Sequence, residues 1–265
     1  MNPSFRSATL VLSSLGSALM LSSCAASRMA LPPTLSKEAK RMPVEKTYAF
    51  WIFGLEKLAF GGYKVTDYKT GWQSGSAMGL NSGDVGYAAD KNAQKYEFRL
   101  TGPSGKTWKG LCAEAASKRT LSGNVLGGTM SADLERQATL DCDFQQDQGA
   151  KPWKLALALQ KKGEGMLAKE ILAGSVSGAL ADSAKTISVI GTHDLEGTAM
   201  GNGEMSGFSF QDGTKEVGAV QVINESTVWM DPTAEAELGE PMALASAALM
   251  LQQGLLKKLD DKEKK

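Results

Sequence analysis

Apolar and polar residues alternate along much of the chain from Thr47 onward. Tyr96, Phe98 and Leu100 are interleaved with Glu97 and Arg99. Leu140, Cys142 and Phe144 are interleaved with Asp141 and Asp143, and Trp153, Leu155, Leu157 and Leu159 with Lys154, Ala156 and Ala158. A period of two puts each set on one side of a strand, so these runs predict strands buried on one face and wet on the other, as in antiparallel sheets. Turn signals separate them. Gly102-Pro103-Ser104-Gly105 ends the first run before Trp108 resumes it. Asp212-Gly213, between the apolar runs 207–211 and 217–223, is a hairpin signal. Phe98 followed by a turn and Trp108 is echoed by Phe144 followed by a turn and Trp153, which reads as two similar hairpins. Residues 166–172 and 186–190 read as further strands, and the glycine-rich stretch 197–203 as a loop.

The period changes near the carboxyl end. Residues 242–251 are strong helix formers, apolar on every side except at Ser246, and Leu255 and Leu256 continue the stretch. Pro241 suits a first helical turn, where its missing N–H costs nothing. The sequence therefore predicts a helix over about 241–259. A helix apolar all round is buried. Its apolar span of about 15 residues, roughly 22 Å, is short for a membrane crossing.

A mainly β chain that closes with such a helix must enclose it in sheet. The predicted fold class is mainly β, an antiparallel β-barrel wrapped around a buried hydrophobic C-terminal helix. The alternative, a β-sandwich with the helix packed on one face, calls for an amphipathic helix, which this is not. The hairpin ending at Val222, the strand 227–230 and the helix from Pro241 together resemble the tubby-like barrel group, which includes the phospholipid scramblases. That resemblance implies strands around a central helix and covers a minor part of the chain. The tubby phosphoinositide site and the scramblase calcium motif find no matching residues, and none is carried over.

The amino end follows other rules. Arg6 is followed by an apolar stretch from Ala8 to Met20 and then by Leu21-Ser22-Ser23-Cys24. One positive charge, a short apolar run and small residues before a cut describe a secretory signal, removed from the mature protein and too short to span a bilayer. Leu21-Ser22-Ser23-Cys24 resembles the lipobox of bacterial lipoproteins. That resemblance implies cleavage by signal peptidase II between Ser23 and Cys24, with lipid added to the Cys24 thiol. More than one acyl chain makes the attachment to the membrane stable. Ala25, where inner-membrane lipoproteins carry Asp, implies the outer membrane in a Gram-negative host.

The expected layout is therefore a signal peptide over 1–23, an acylated N-terminus and linker over 24–46, a single β-rich domain over 47–259 and a charged tail over 260–265. The linker assignment rests on Pro32, Pro33 and Pro43, on Arg28, Lys37, Lys40, Arg41 and Lys46, and on the lack of an apolar period. Its positive charges suit anionic headgroups.

Charge removes one class of partner. Without Arg6 the 29 Lys and Arg become 28, against 29 Asp and Glu. Near-neutrality leaves no basic stripe for nucleic acid. Export then bears on the cysteines. With Cys24 used by the anchor, Cys112 and Cys142 are left in an oxidising compartment and are expected to pair. A redox or metal pair is the alternative, but neither has a second Cys two residues away, and His193 is the chain's only imidazole.

Candidate chemistry is thin. His193, in Gly191-Thr192-His193-Asp194, is the one candidate general base. In an extended strand it points away from Asp194, so the two make no orienting pair. No Gly-x-Ser-x-Gly elbow occurs. Asp141, Asp143 and Asp147 lack the Gly and distal Glu of a calcium loop. Tryptophans 51, 72, 108, 153 and 229 could stack sugars, although strand aromatics ordinarily serve the core. The expectation is a non-catalytic envelope lipoprotein with no cofactor, whose β domain meets another envelope protein or the envelope itself. A carrier or sensor of lipid or another apolar ligand is the alternative, and a hydrolase built around His193 ranks third.

Overall fold

The structure, a computed structural model, describes residues 27–35, 37–48, 55–71, 74–82, 85–125, 128–147, 149, 151–162, 176–198 and 205–252. Fourteen strands form one antiparallel sheet. They are β1 (Lys40–Pro43), β2 (Glu45–Tyr48), β3 (Leu55–Phe60), β4 (Tyr63–Thr70), β5 (Ser74–Ser82), β6 (Val85–Thr101), β7 (Thr107–Val125), β8 (Gly128–Gln146), β9 (Trp153–Lys162), β10 (Val176–Ala181), β11 (Thr186–Thr192), β12 (Gly207–Asp212), β13 (Lys215–Gln221) and β14 (Thr227–Met230), followed by helix α1 (Pro232–Leu251).

From β6 to β14 each strand pairs with the next in sequence, most of them across short turns and β9–β10 and β11–β12 across longer connections. The alternation seen in the sequence decides which side chains face inward. Tyr96, Phe98, Leu100, Cys112, Leu140, Cys142, Phe144, Leu155 and Leu157 are all buried. Their odd or even neighbours form cross-strand ion pairs outside, such as Glu97 between Lys69 and Lys109. The two echoing hairpins stand side by side, with Leu100 opposite Trp108 and Phe144 opposite Trp153.

One segment nearly closes the sheet into a barrel. β1 pairs with β14, placing Met42 opposite Val228. The Val44 N–H donates to the Ser226 carbonyl, and β2 then pairs with β3. A single stretch thus borders both sides of the seam. This corrects the linker reading. Residues 27–35 and 37–46 belong to the fold, with Met29, Leu35 and Met42 buried. Three apolar side chains spread over fourteen positions make no period, so the alternation test does not detect them.

Helix α1 lies inside. It touches β7, β10, β13 and β14, which face one another across the barrel. Met242, Ala243, Leu244, Ala245, Ser246, Ala247 and Ala248 have no exposed surface. Small side chains keep the helix narrow enough for the enclosing sheet, an arrangement other barrels with a central helix share. The enclosed-helix fold is therefore the observed one, and the sandwich is not. No described helix is long and apolar enough to cross a membrane.

The helix begins nine residues earlier than its apolar stretch suggests. Asp231 is the N-cap and Pro232 stands in the first turn. Pro241 lies within the helix, where its ring leaves the Glu237 carbonyl without an intrahelical donor. The predicted continuation over 253–259, the strand over 166–172 and the tail fall outside the described residues. So does most of the loop over 197–203.

The barrel's two ends differ. At the end holding the start of α1 lie the turns 61–62, 102–106, 182–185 and 213–214, the end of β8 and the start of β9. Here the Ser104 hydroxyl and the Trp108 indole N–H both donate to the Glu240 carboxylate, at 2.6 and 3.0 Å. At the opposite end β11 leaves, β12 enters, the turn 222–226 joins β13 to β14 and α1 stops. There β6, β7 and β8 also run on past the buried Gln94, Ala116 and Ala138 as a ribbon, flanked by β5.

Candidate functional site

Two features of the surface are candidate sites. The first is the seat of the amino-terminal segment, at the end of the barrel where α1 stops. Asn224, in the left-handed conformation that Asn tolerates (φ 47°), heads the turn after β13. Its amide donates to the Ser27 carbonyl at 2.6 Å. The Glu196 N–H donates to the Arg28 carbonyl and the Ala30 N–H to the Asp194 carbonyl. Between them, the Met29 N–H donates to the side-chain oxygen of buried Gln221 at 2.9 Å. The Gln221 amide in turn donates to the carbonyls of Ile223 and Glu225. Gly207 makes room for the Met29 side chain. A Cβ there would lie 2.1 Å from the Met29 sulfur and 2.2 Å from the Val220 carbonyl oxygen. Leu35 packs with Ala219 and Trp229 a little further along.

His193 sits at the rim of this seat, half-buried just past β11. Its neighbours are committed to backbone tasks. The Asp194 N–H donates to the Thr192 hydroxyl. The Ser206 hydroxyl donates to the carbonyls of Thr192 and Asp194, so it straps the loop down. Asp194 is exposed. Among the described residues, no three His, Cys, Asp or Glu side chains are grouped to hold a metal ion.

The second feature is a cleft of about 410 Å³ on the outer face, where the ribbon leaves the barrel. Ser74, Gly75 and Ser76 of β5, Lys91 and Asn92 of β6, Ser117 of β7 and Gln137 of β8 line it. Its floor is low because the row Ala93, Ala115 and Thr139 has short side chains. The cleft is open and its surface is mostly apolar, with Ala93, Ala115, Ala116 and Ala138 in its lining and Lys91 as its one cation.

The cysteine pair belongs to the core. Cys112 and Cys142 are direct partners in the β7–β8 register and form a disulfide, with Cα atoms 4.1 Å apart. Facing residues this close occur at non-hydrogen-bonded antiparallel positions. Both sulfurs are buried in the barrel wall, so the bond braces the sheet.

Burial and charge are concentrated around α1. Tyr63 is pushed up to about 12, mainly by burial and then by Glu235 and Glu240. Burial likewise holds Tyr96 well above the ordinary tyrosine range, with Glu114 adding to the effect. In its protonated state Tyr96 donates to the Ala248 carbonyl at 2.9 Å, which helps to close the last turn of the helix. At the other end Asp231 is pulled down to about 2. The Thr233 hydroxyl bond is the largest cause, followed by the bond from Lys215.

Of the residues singled out in the sequence, the structure joins Cys112 to Cys142 and leaves His193 apart from both. Ser23 and Cys24 lie outside the described residues. Gln221, Asn224 and Gly207 escaped the sequence reading, although Asn224 lay in a recognised turn. The chain matches no family model, no curated protein and no solved structure.

Proposed function

We propose that the protein is an envelope lipoprotein, cut before Cys24 and held by lipid on that residue, on the outer membrane in a Gram-negative host. It acts without catalysis, by presenting the outside of its barrel to another envelope component. The observation that carries this reading is the position of α1. A barrel can hold a ligand when its lumen is open. Here a helix with no exposed surface from Met242 to Ala248 fills the interior, so the working surface is external. That weighs against a carrier with an internal apolar chamber. His193, beside groups engaged in backbone bonds, offers little support for a hydrolase.

The outer cleft is the part of that surface best suited to a partner. It is concave, falls within the size range of binding sites and carries Lys91 on its edge. Photocrosslinking in cells that make the acylated protein tests the reading, with the probe at Lys91 and a control probe at Ser183 in the turn between β10 and β11. A discrete adduct from position 91, lost with Cys24→Ala, is the expected result. Absence of any adduct, together with turnover of a substrate by the purified protein, would overturn the proposal.

A further inference from the structure

The anchored barrel has a fixed face to the membrane. This inference rests on acylation of Cys24. Ser27 is already held to the barrel by Asn224, and Arg28, Met29 and Ala30 are bonded in succession to Glu196, Gln221 and Asp194. Three residue steps therefore separate the lipidated cysteine from the fold. At 3.3–3.6 Å per residue their reach is about 11 Å. A linker of some twenty residues would let the barrel tumble above the bilayer, but this one is too short.

The surface brought to the lipid is defined by what surrounds Ser27. It comprises the turn after β11, the turn between β13 and β14, and the end of the barrel where α1 stops. The ribbon of β5–β8 projects from that same end. Its strands continue for nine or so residues beyond Ala116 and Ala138, about 30 Å at strand rise. That exceeds the reach of the tether, which puts the ribbon within reach of the bilayer surface.

We infer that the end of the barrel bearing Ser27, Glu196 and Asn224 rests against the bilayer with the β5–β8 ribbon on the membrane side. The turns at the start of α1 then point away from it. The turns around Ser104, Ser183 and Thr214 face the aqueous space, and the outer cleft opens close to the lipid surface, where it meets a partner at the membrane.

The test uses the full acylated protein in vesicles whose lipids carry a collisional quencher in the headgroup region. A fluorophore is attached in turn through Glu225→Cys, Asn124→Cys and Ser183→Cys. Quenching at positions 225 and 124 at least threefold stronger than at 183 is expected. Inserting ten Gly and Ser residues between Cys24 and Ser27 should reduce the quenching at 225 toward that at 183. Equal quenching at 225 and 183 without the insertion overturns the orientation. Quenching at 225 but not at 124 overturns the placement of the ribbon. Flotation and the mass of the amino-terminal peptide report separately on the anchor. An unacylated Cys24 sinks the anchoring and this inference together, whereas an acylated, floating protein with unquenched labels sinks the inference alone.

Discussion

Asp231 shows how much one side chain can do at a junction. It caps α1 by accepting from the Thr233 N–H and hydroxyl, at 2.8 and 2.6 Å, and it accepts a third bond from Lys215 at 2.9 Å. Its carboxyl is held at about 2 in the fold, against roughly 3.9 in an unfolded chain. A depressed value stabilises the fold wherever the group is ionised in both states, and that gain is lost as pH falls from about 4 through 2. The contribution is on the order of 2 kcal/mol. Asp231→Asn keeps a side chain able to cap but removes the charge. Urea denaturation of both proteins should therefore show a gap of that order at pH 7, narrowing below pH 4 and closing near pH 2. A gap independent of pH would mean that the charge plays no part. Ser246 presents the opposite case. It lies in the middle of α1 with no exposed surface, and its hydroxyl has no partner among the described residues. A buried hydroxyl without a hydrogen bond costs about 1–3 kcal/mol, and Ala is the better helix former. Ser246→Ala should leave stability unchanged or raise it by about 1 kcal/mol, read as an upward shift of the thermal midpoint. A clear loss would reveal a bond that the hydroxyl makes in solution.

At the scale of the element, the sequence is informative where one local rule decides the outcome. The Cys112–Cys142 pairing could be read because Cys142 shares its alternation with Leu140 and Phe144, and Cys112 lies four residues past Trp108 on the same parity. Matching faces on neighbouring strands leave little choice. The start of α1 was harder to read because its first turns are partly wet. Thr233, Glu235 and Glu237 interrupt the apolar run, so the hydrophobic pattern begins only near Pro241. The capping signal of Asp231 and Pro232 was present in the chain and would have located the start. The Met29 seat could not be foreseen, since the donor and acceptor that define it lie 192 residues apart. The lengths of β6 to β8 were missed as well, because small and charged residues such as Asp90, Lys118 and Arg136 break the apolar alternation before the strands end. The disulfide yields a prediction at this scale. It closes a loop across a separation of 30 residues, which in the chain-entropy model stabilises by roughly 3–4 kcal/mol. Cys112→Ala with Cys142→Ala should lower the free energy of unfolding by about that amount while the β7–β8 ladder keeps its register. An unchanged denaturation midpoint would show that the ladder alone suffices.

For the whole molecule, the weakest place is the seam. Elsewhere most neighbouring strands are consecutive in sequence, so each pair is also joined by its own connection. At the seam, β1 and β2 are successive parts of one segment, with β14 on one side and β3 on the other. Few side chains fasten it. Met42 is the principal one: it is 2% exposed, and the Cβ that Gly61 lacks would overlap its sulfur. Placing a carboxylate there by Met42→Asp buries an unpaired charge, and disruption on this scale typically costs 3–5 kcal/mol or more. Because the segment is shared, it should release both neighbours together. Amide exchange of the acylated protein is expected to quicken at the paired positions of β14, from Thr227 to Met230, and of β3, from Leu55 to Ala59. The β7–β8 ladder should stay protected under conditions where the domain remains folded. Met29→Asp serves as a comparison. It disturbs the seat at Gly207 and Gln221 but leaves β1 and β2 in place, so exchange should rise around Gln221 and the start of β12 and not in β3. Acceleration in β14 alone after Met42→Asp would mean that the two halves of the segment are held independently, and the barrel would then have two separate edges and no common latch.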